Sequence, residues 1–524
     1  MRFVKKFIST CTAACTAACI AVSFCACSSP FSKSAAEEKN KEYKGVDVSE
    51  PVSLIMYLVG DKAPDFDMVY DKINEILKDR LNAKLDVNFL PWDEVNSQYE
   101  QLFYAGEQFD LIFTAAGWGY YEDVANMKGF YPLTDSFLAA YAPDIVKTLP
   151  DEAWDEARIN GNIYMVPNYQ HQFGIDIVGV RGDLMEKYGF SDLTSPDDLE
   201  KYLDAVAENE SDITPLDTES GRVLTQFYLF PDKLQVTGAP NSFFVYDYQD
   251  PDDIDIEYTV ESDKFVEYAR KMKKFYDKGY WLSDALTPTY IRSENWINGR
   301  SAMMIWNLGS VTRYAREINK THPEWKATFA DLLPGQPRPY MPYTNNGMAV
   351  NASSSHPERA MMVINELMTD PVLNNMTAFG IEGKHWEAAE DKEYKALPDA
   401  KGYPANGSCN WGWFNEDVLR SEYVPDKDKV YEKEQETLKR WRDNAAAPHP
   451  LSAFTFSDEN VKVEMAAVND IVSRYFEPIS TGIVDDPEAA VVELREKLNE
   501  AGINKIIDEM NRQKDNYIKE KSAS

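Results

Sequence analysis

Beyond residue 50, the hydrophobic pattern alternates between strand-like and helix-like segments. Residues 54–59 form a continuous apolar run, which is typical of a strand covered on both faces. Apolar residues recur at helical spacing over 69–77, and they alternate with polar residues over 85–89 as in a strand. A helix over 94–104 and a buried strand over 109–114 follow. The pattern predicts a βαβ unit, and hence an α/β fold with parallel strands.

The same alternation restarts further along the chain. Residues 175–180 are predicted to form a strand, 183–188 a helix, and Ser195-Pro196 the start of another helix with a cap and a proline in its first turn. From residue 427 to the end the pattern is mostly helical, and the chain contains no internal repeat. The other predicted helices are 265–276, 290–298 and 357–368, and the other predicted strands are 301–306 and 346–351.

The first 26 residues have the pattern of an export signal. Arg2, Lys5 and Lys6 precede an apolar run over 7–22, and small residues follow it. The run is rich in Ala and Thr and is followed at once by polar sequence, so a permanent membrane-spanning helix is the weaker interpretation. Residues 1–26 are therefore predicted to be a signal peptide.

Cys27 is the predicted lipidation site. Ala26-Cys27 resembles the cleavage site of a bacterial lipoprotein, although Phe24 stands where such sites usually carry Leu. Cys25 is the poorer candidate because the bulky Phe24 precedes it, and secretion without a lipid is the alternative. Residues 27–50 have almost no apolar content, so they are predicted to be a flexible tether.

The charge and the cysteine content of the chain argue against several classes of function. The formal net charge is −33, and removal of the basic signal makes it more negative, so nucleic acid is not expected as a partner. Only Cys409 lies beyond the signal and its cleavage site, which leaves no disulfide framework and no thiolate metal site. The histidines lack zinc spacing, and the acidic run 247–255 lacks the glycine and terminal Glu of a calcium loop. We therefore expect no metal and no cofactor.

A set of segments, taken in order, resembles the extracellular solute-binding lipoproteins of ABC importers, of the maltose-binding type. The C-terminal region, from 456 onward, resembles the domain of unknown function DUF3502 found in the larger Gram-positive form. The resemblance spans nearly the whole chain beyond the tether. The segments are FDLIFT (109–114), YPLTD (131–135), GNIYMVPN (161–168), WINGRSAM (296–303) and EGKHW (382–386).

The resemblance implies a two-lobed α/β fold of the type II periplasmic-binding-protein class, with hinge crossovers and a largely helical C-terminal region. The crossovers are expected near 166–170, 343–347 and 380–386, with the ligand in the cleft between the lobes. The first lobe is expected to comprise 51–167 and 344–382, and the second lobe 168–343 and 383–524.

The resemblance also implies a function. The chain is expected to capture an oligosaccharide outside the cell by lobe closure, to deliver it to the permease of an ABC transporter, and to act as a lipid-anchored monomer on the extracellular face of the cell membrane. No acid/base motif stands out, so no enzymatic activity is expected. The open alternatives are a receptor for a peptide or another small solute, and a surface glycosidase or adhesin.

Aromatic residues are the first candidates for the ligand site, because a sugar presents an apolar C–H face that stacks on flat rings. Trp118 follows the strand 109–114, and loops after the carboxyl ends of parallel strands bind ligands in open α/β sheets. By resemblance, Trp306 lies near a sugar-stacking aromatic of the maltose-binding group. For each candidate the alternative is packing in the core, and the remaining tryptophans, Trp92 among them, are interpreted as core or surface residues. The aromatic candidates are Trp118, Tyr169, Trp306, Trp386, Trp411 and Trp413.

Polar candidates complete the predicted site. Side-chain amides at the crossovers could bridge both lobes through a ligand hydroxyl, or could merely cap backbone turns. Carboxylates after the first strand and in the third crossover could accept hydroxyl hydrogens, or could be solvated charges. The amides are Asn168, Gln170, Asn345 and Asn346, and the carboxylates are Asp61 and Glu382.

Overall fold

The computed structural model describes residues 42–216, 221–240, 243–281, 292–390, 392–424 and 428–521. Its first segment alternates strands and helices as predicted. Strands β1–β8 are Glu42–Tyr43, Val46–Asp47, Val52–Val59, Ala83–Leu90, Leu111–Thr114, Arg158–Ile159, Asn162–Ile163 and Met165–Pro167. Helices α1–α6 are Phe66–Leu81, Val95–Tyr104, Tyr121–Asn126, Asp135–Tyr141, Pro143–Thr148 and Asp151–Glu156.

The second segment repeats the alternation. Ser195 caps its second helix, since its hydroxyl accepts a hydrogen bond from the Asp198 N–H, as the sequence predicts. Strands β9–β14 are Ile177–Val180, Leu234–Gln235, Phe244–Tyr246, Glu257–Tyr258, Met303–Trp306 and Thr328–Ala330. Helices α7–α12 are Gly182–Tyr188, Pro196–Asn209, Thr225–Tyr228, Asp263–Asp277, Arg292–Ile297 and Leu308–Thr321.

In the remaining chain, strands and helices are interspersed up to residue 422, and helices alone follow over 429–521, which confirms the predicted helical C-terminal pattern. Strands β15–β18 are Gly347–Val350, Trp386–Ala388, Glu393–Ala396 and Ser421–Glu422. Helices α13–α19 are Pro357–Thr369, Pro371–Phe379, Lys429–Asp443, Lys462–Ile471, Glu477–Ser480, Pro487–Ala501 and Ile503–Lys521. Within the part of the chain that the structure describes, no helix is both long enough and apolar enough to cross a membrane.

The first lobe is built on a five-stranded sheet of order β4-β3-β5-β15-β8. Strand β3 is parallel to β4 and β5, whereas β15 is antiparallel to β5 and β8. Val59, Leu90 and Thr114 are the last residues of β3, β4 and β5, and Gly347 is the first residue of β15. The cross-strand pairs Val59–Leu90 and Thr114–Gly347 bring them to a single edge of the sheet. The loops that follow these strands therefore share one surface, and in open α/β sheets such an edge binds ligands.

The second lobe is built on the antiparallel sheet β13-β9-β14, with a smaller sheet β10-β11-β12 beside it. Its main core also includes apolar side chains of α16, α18 and α19, among them Val468, Leu494 and Ile506. The C-terminal helices are therefore part of the second lobe's core. Backbone bonds from Asn168 N–H to the Asn346 carbonyl and from Met341 N–H to the Gln172 carbonyl join the two segments that cross between the lobes.

The expected boundary at residue 382 is wrong. Tyr403, Cys409 and Trp413 pack in the same core as β3, and the Val59 N–H donates to the Cys409 sulfur at 3.4 Å. The first lobe thus extends well beyond 382, and Val430 is already packed in the second lobe. The sequence motif 382–386 suggested an earlier crossing because its resemblance gave no information on the packing of 403–413.

The expected tether also ends earlier than residue 50. Strands β1 and β2 form a hairpin, and Val48 is buried against the first lobe. The ammonium group of Lys44 pairs with Asp144 at 2.6 Å and with the buried Glu366 at 2.7 Å. Residues 42–50 are therefore folded onto the first lobe through polar contacts that a low apolar content does not predict. The signal peptide, Cys27 and the first part of the tether lie outside the described residues.

Candidate functional site

Three tryptophans lie together at the edge of the first-lobe sheet. The ring centroids of Trp92 and Trp118 are 6.2 Å apart with an interplanar angle of 28°, and those of Trp92 and Trp411 are 5.8 Å apart at 20°. The indoles of Trp118 and Trp411 are thus each roughly parallel to that of Trp92, at separations too large for close face-to-face contact. We call Trp92, Trp118 and Trp411 the tryptophan floor. Phe113 supports it from below, with its ring 5.3 Å from Trp118 and 5.9 Å from Trp411.

The floor is open to solvent. Trp92 is 50% exposed and Trp118 is 41% exposed, while Trp411 is half-buried. Large aromatic side chains are mostly buried in folded proteins, so adjacent exposed indoles signal a binding surface. Their faces offer the flat apolar area that stacks on the C–H face of a sugar ring.

Polar contacts fix the loop that carries Trp118. Its indole N–H donates to the Asn345 carbonyl at 2.9 Å, and the Thr114 hydroxyl donates to the Gly119 carbonyl at 2.8 Å. Gly117 has a φ of +76°, which favours glycine, and its N–H donates to both carboxylate oxygens of Glu122 at 3.2 Å. The loop is therefore tied to β5, to α3 and to the second crossover.

Glu122 is an unusual supporting residue because it is buried. Burial raises its pKa to about 7, against the opposing effect of the hydrogen bonds from backbone amides. Glu122 thus titrates close to neutral pH beside the floor.

A polar cluster adjoins the floor at the crossovers. His171 Nδ1 lies 2.6 Å from Glu416 Oε1, and His171 Nε2 lies 2.9 Å from the Tyr343 hydroxyl. The rings of Tyr169 and Tyr343 are nearly parallel, with centroids 6.3 Å apart. A side chain directly after the first crossover, one from the second crossover and one from the segment after Trp413 therefore meet in a single cluster, which offers imidazole, hydroxyl and carboxylate groups.

A cavity adjoins the same crossover turn and is lined by residues of both lobes. Glu156 lines it and accepts a hydrogen bond from the Tyr343 N–H at 2.6 Å, and burial raises the pKa of Glu156 to about 8. Gln170 also lines it, and its buried Oε1 has no hydrogen-bond partner among the described residues. The second lobe contributes Tyr246 and His449, whose rings lie 4.8 Å apart.

The remaining predicted residues divide by exposure. Asp61 and Glu382 are exposed, Asn168 and Asn346 are buried, and Asn345 touches the floor through its backbone carbonyl. Trp306 is half-buried against the core of the second lobe that contains Trp296. The structure thus brings Trp118, Trp411 and Asn345 together at the floor and places Tyr169 in the polar cluster, and the role of all four in binding stays a prediction.

Two predicted platforms are wrong. Trp413 has no exposed surface, and its indole N–H donates to the Thr377 hydroxyl at 3.0 Å. Trp386 is 6% exposed, donates to the Gly380 carbonyl at 2.8 Å, and packs against Phe379 and Tyr394. Both rings have their faces covered by protein, so neither can stack on a ligand in this structure.

Sequence reasoning missed Trp92, His171, Tyr343 and Glu416. Trp92 lies two residues after the end of β4, and the Val59–Leu90 pair brings that end to the edge that carries Trp118. The argument that selected Trp118 therefore applies to Trp92 as well. The other three carry no local signal, because only the crossing of the chain between lobes brings them together.

The acidic run 247–255 makes turns. The N–H groups of Gln249, Asp252 and Asp255 each donate to a carboxylate two residues earlier. Among the described residues, no group of three or more His, Cys, Asp or Glu side chains is placed to hold a metal ion.

The family model for the bacterial extracellular solute-binding proteins matches residues 73–443, and a model for a domain of unknown function, DUF3502, matches residues 450–519. A carbohydrate ABC transporter substrate-binding protein of Streptococcus pneumoniae is 26% identical over 499 residues, covering 91% of this chain and 93% of that protein. These matches confirm the resemblance seen in the sequence.

Solved structures of similar proteins agree with this family assignment. The N-glycan transport solute binding protein NgtS from Streptococcus pneumoniae has a TM-score of 0.71 at 25% identity, with 90% of this chain and all of that chain covered. Its complex with Man5GlcNAc has a TM-score of 0.69 at 25% identity, covering 90% of this chain and 99% of that one. These neighbours confirm the predicted two-lobed α/β fold, and the chain belongs to the bacterial extracellular solute-binding proteins.

Proposed function

We propose that this protein is the substrate-binding lipoprotein of an ABC transporter and captures an oligosaccharide at the tryptophan floor. The observation that carries the proposal is the group of three neighbouring indoles, two of them about half exposed, at the edge of the first-lobe sheet where the loops after β4 and β5 meet. Adjacent exposed indoles offer stacking area to sugar rings. The cluster of His171, Tyr343 and Glu416 beside it offers groups that pair with hydroxyls.

Similar proteins support an oligosaccharide ligand. The relative that matches most of this chain is named as a carbohydrate substrate-binding protein, and NgtS was crystallised with Man5GlcNAc and with Man1GlcNAc. Closure of the two lobes over the sugar would bury it, and the permease would recognise the closed form. The protein releases the sugar unchanged, so it is not an enzyme.

Anchoring and partners follow from the same proposal. Lipid on Cys27 would hold the protein on the extracellular face of the membrane as a monomer beside its permease. Replacing Cys27 by Ala should release the protein from membranes, and mass spectrometry should find the lipid on Cys27. Lipid on Cys25, or no lipid, would contradict this part.

A thermal-shift screen tests the ligand class. A panel of neutral oligosaccharides that includes Man5GlcNAc is compared with a panel of peptides, and stabilisation by oligosaccharides alone is the expected result. Stabilisation by peptides would favour a peptide receptor. Prolonged incubation with the best oligosaccharide, followed by product analysis, should recover it intact, whereas cleavage products would favour a glycosidase.

A further inference from the structure

The loop from Gly117 to Gly119 depends on a carboxylate that is costly to bury. Glu122 is 8% exposed, and both its oxygens lie 3.2 Å from the N–H of Gly117, the residue before Trp118. A buried carboxyl group loses its hydration, and an apolar side chain at this position of a short helix would avoid that loss. The hydrogen bond that the carboxylate accepts from the Gly117 N–H offsets part of this cost.

That contact determines where Trp118 lies. Gly117 adopts a left-handed conformation, and its N–H points to the start of α3 instead of joining the sheet. On the other side of the tryptophan, the Gly119 carbonyl accepts from the Thr114 hydroxyl. Trp118 thus lies between two backbone groups that side chains hold in place, and these bonds add to the direct bond from its own indole N–H to the Asn345 carbonyl.

We infer that Glu122 is a positioning residue, which by accepting the Gly117 N–H holds Trp118 beside Trp92 in the tryptophan floor. The inference rests on the proposed function, since it assigns Glu122 a role in binding through Trp118. Glu122 itself lies beneath the loop and is not assigned a contact with the sugar.

A thermodynamic cycle tests the inference. Affinity for Man5GlcNAc, or for the oligosaccharide of the panel that binds best, is measured for the wild type, Glu122→Leu, Trp118→Ala and the double variant. Glu122→Leu should weaken binding about tenfold, on the order of 1.4 kcal/mol. In the Trp118→Ala background the same change should alter affinity by less than about twofold, because the ring that Glu122 positions is already gone.

The conservative variant provides the control. Glu122→Gln keeps a side-chain carbonyl that accepts the Gly117 N–H, so its affinity should stay within about twofold of the wild type. If Glu122→Leu does not fold, as judged by circular dichroism, Glu122→Ala replaces it because it does not overfill the site. A merely structural role would not produce rescue by Gln together with dependence on Trp118.

Two results would overturn the inference. One is an unchanged affinity of Glu122→Leu, and the other is an equal loss of affinity with and without Trp118. If Trp118→Ala alone leaves affinity unchanged, the proposed site itself is wrong and the role of Glu122 falls with it. The single variants therefore separate failure of the site from failure of the positioning role.

Discussion

The indole N–H of Trp118 donates to the backbone carbonyl of Asn345 at 2.9 Å, which ties a first-lobe loop to the second crossover. Tyr343, two residues earlier in the same turn, connects the turn to the cavity, because its N–H donates to Glu156. A change of backbone conformation at Tyr343–Asn345 would therefore reach both the floor and the cavity. A movement of the crossovers during lobe closure would therefore act directly on the surface where we propose that the sugar stacks.

Replacing Trp118 by Ala should weaken sugar binding by about 1–3 kcal/mol, a range taken from stacking of bases on aromatic side chains. The apo protein should lose little stability, since the ring is 41% exposed. Trp413→Ala is the matched control, because a fully buried ring should cost about 3–5 kcal/mol of folding stability. Titration calorimetry and thermal melting on both variants check this. A collapsed melting temperature for Trp118→Ala with unchanged affinity would contradict the assignment.

Trp92→Ala should also weaken binding, by a similar amount, because Trp92 lies between the other two rings of the floor. The loss should combine non-additively with that of Trp118→Ala, since the two rings are in contact. Tyr104→Ala removes an even more exposed aromatic of the same lobe, 73% exposed on α2, and should leave affinity unchanged. Equal effects of Trp92→Ala and Tyr104→Ala would show that Trp92 is only a surface residue.

The sequence predicts the path of the chain better than the direction of its side chains. Periodicity placed β3, α1, β4 and β5, because strands and helices repeat apolar residues at different intervals. The same information selected Trp118, since a strand end locates the loop that follows it. It did not distinguish Trp411 from Trp413, two residues apart on one short turn, of which one joins the floor and the other packs beneath α14.

Supporting groups are harder still to predict. Glu122 is one of 87 acidic residues and has no sequence motif. Its role depends on burial and on a backbone N–H five residues earlier, neither of which a one-dimensional pattern contains. The cluster of His171, Tyr343 and Glu416 spans 245 positions between its first and last members and needs both crossovers to form.

Lys44→Ala should loosen the N-terminal hairpin. Lys44 pairs with Glu366, a carboxylate that is almost fully buried, and Arg80 remains as the other partner of Glu366 at 2.8 Å. We expect a loss of about 1–3 kcal/mol, the usual effect of leaving a buried polar group less well paired. Lys147→Ala is the control, because Lys147 is highly exposed and 3.7 Å from Asp144, and such a surface pair contributes little. Urea unfolding and protease cleavage within 42–50 measure the difference, and equal behaviour of the two variants would contradict the prediction.

Stability should fall as pH rises from about 5 to about 8, partly because of Glu122 and Glu156. Burial raises their pKa values to about 7 and about 8, so their folded forms hold protons that the unfolded chain releases near pH 4.5. The folded state thus binds more protons between these values, and stability decreases through that window and levels off above it. The neighbouring charges are Asp123 for Glu122, and Glu152 and Lys521 for Glu156.

Glu122→Gln and Glu156→Gln should therefore reduce the loss of stability between pH 5 and pH 8, by at most about 3 and about 4 kcal/mol respectively. Glu509→Gln is the control with the opposite sign. Hydrogen bonds from Arg512 lower the pKa of Glu509 to about 2, so its stabilisation is complete above the unfolded pKa and is lost only as pH falls toward 2. Glu509→Gln should consequently lower stability almost equally at pH 5 and pH 8. Urea unfolding at both pH values measures all three variants, and a Glu122→Gln or Glu156→Gln curve parallel to that of the wild type would refute the assigned titration.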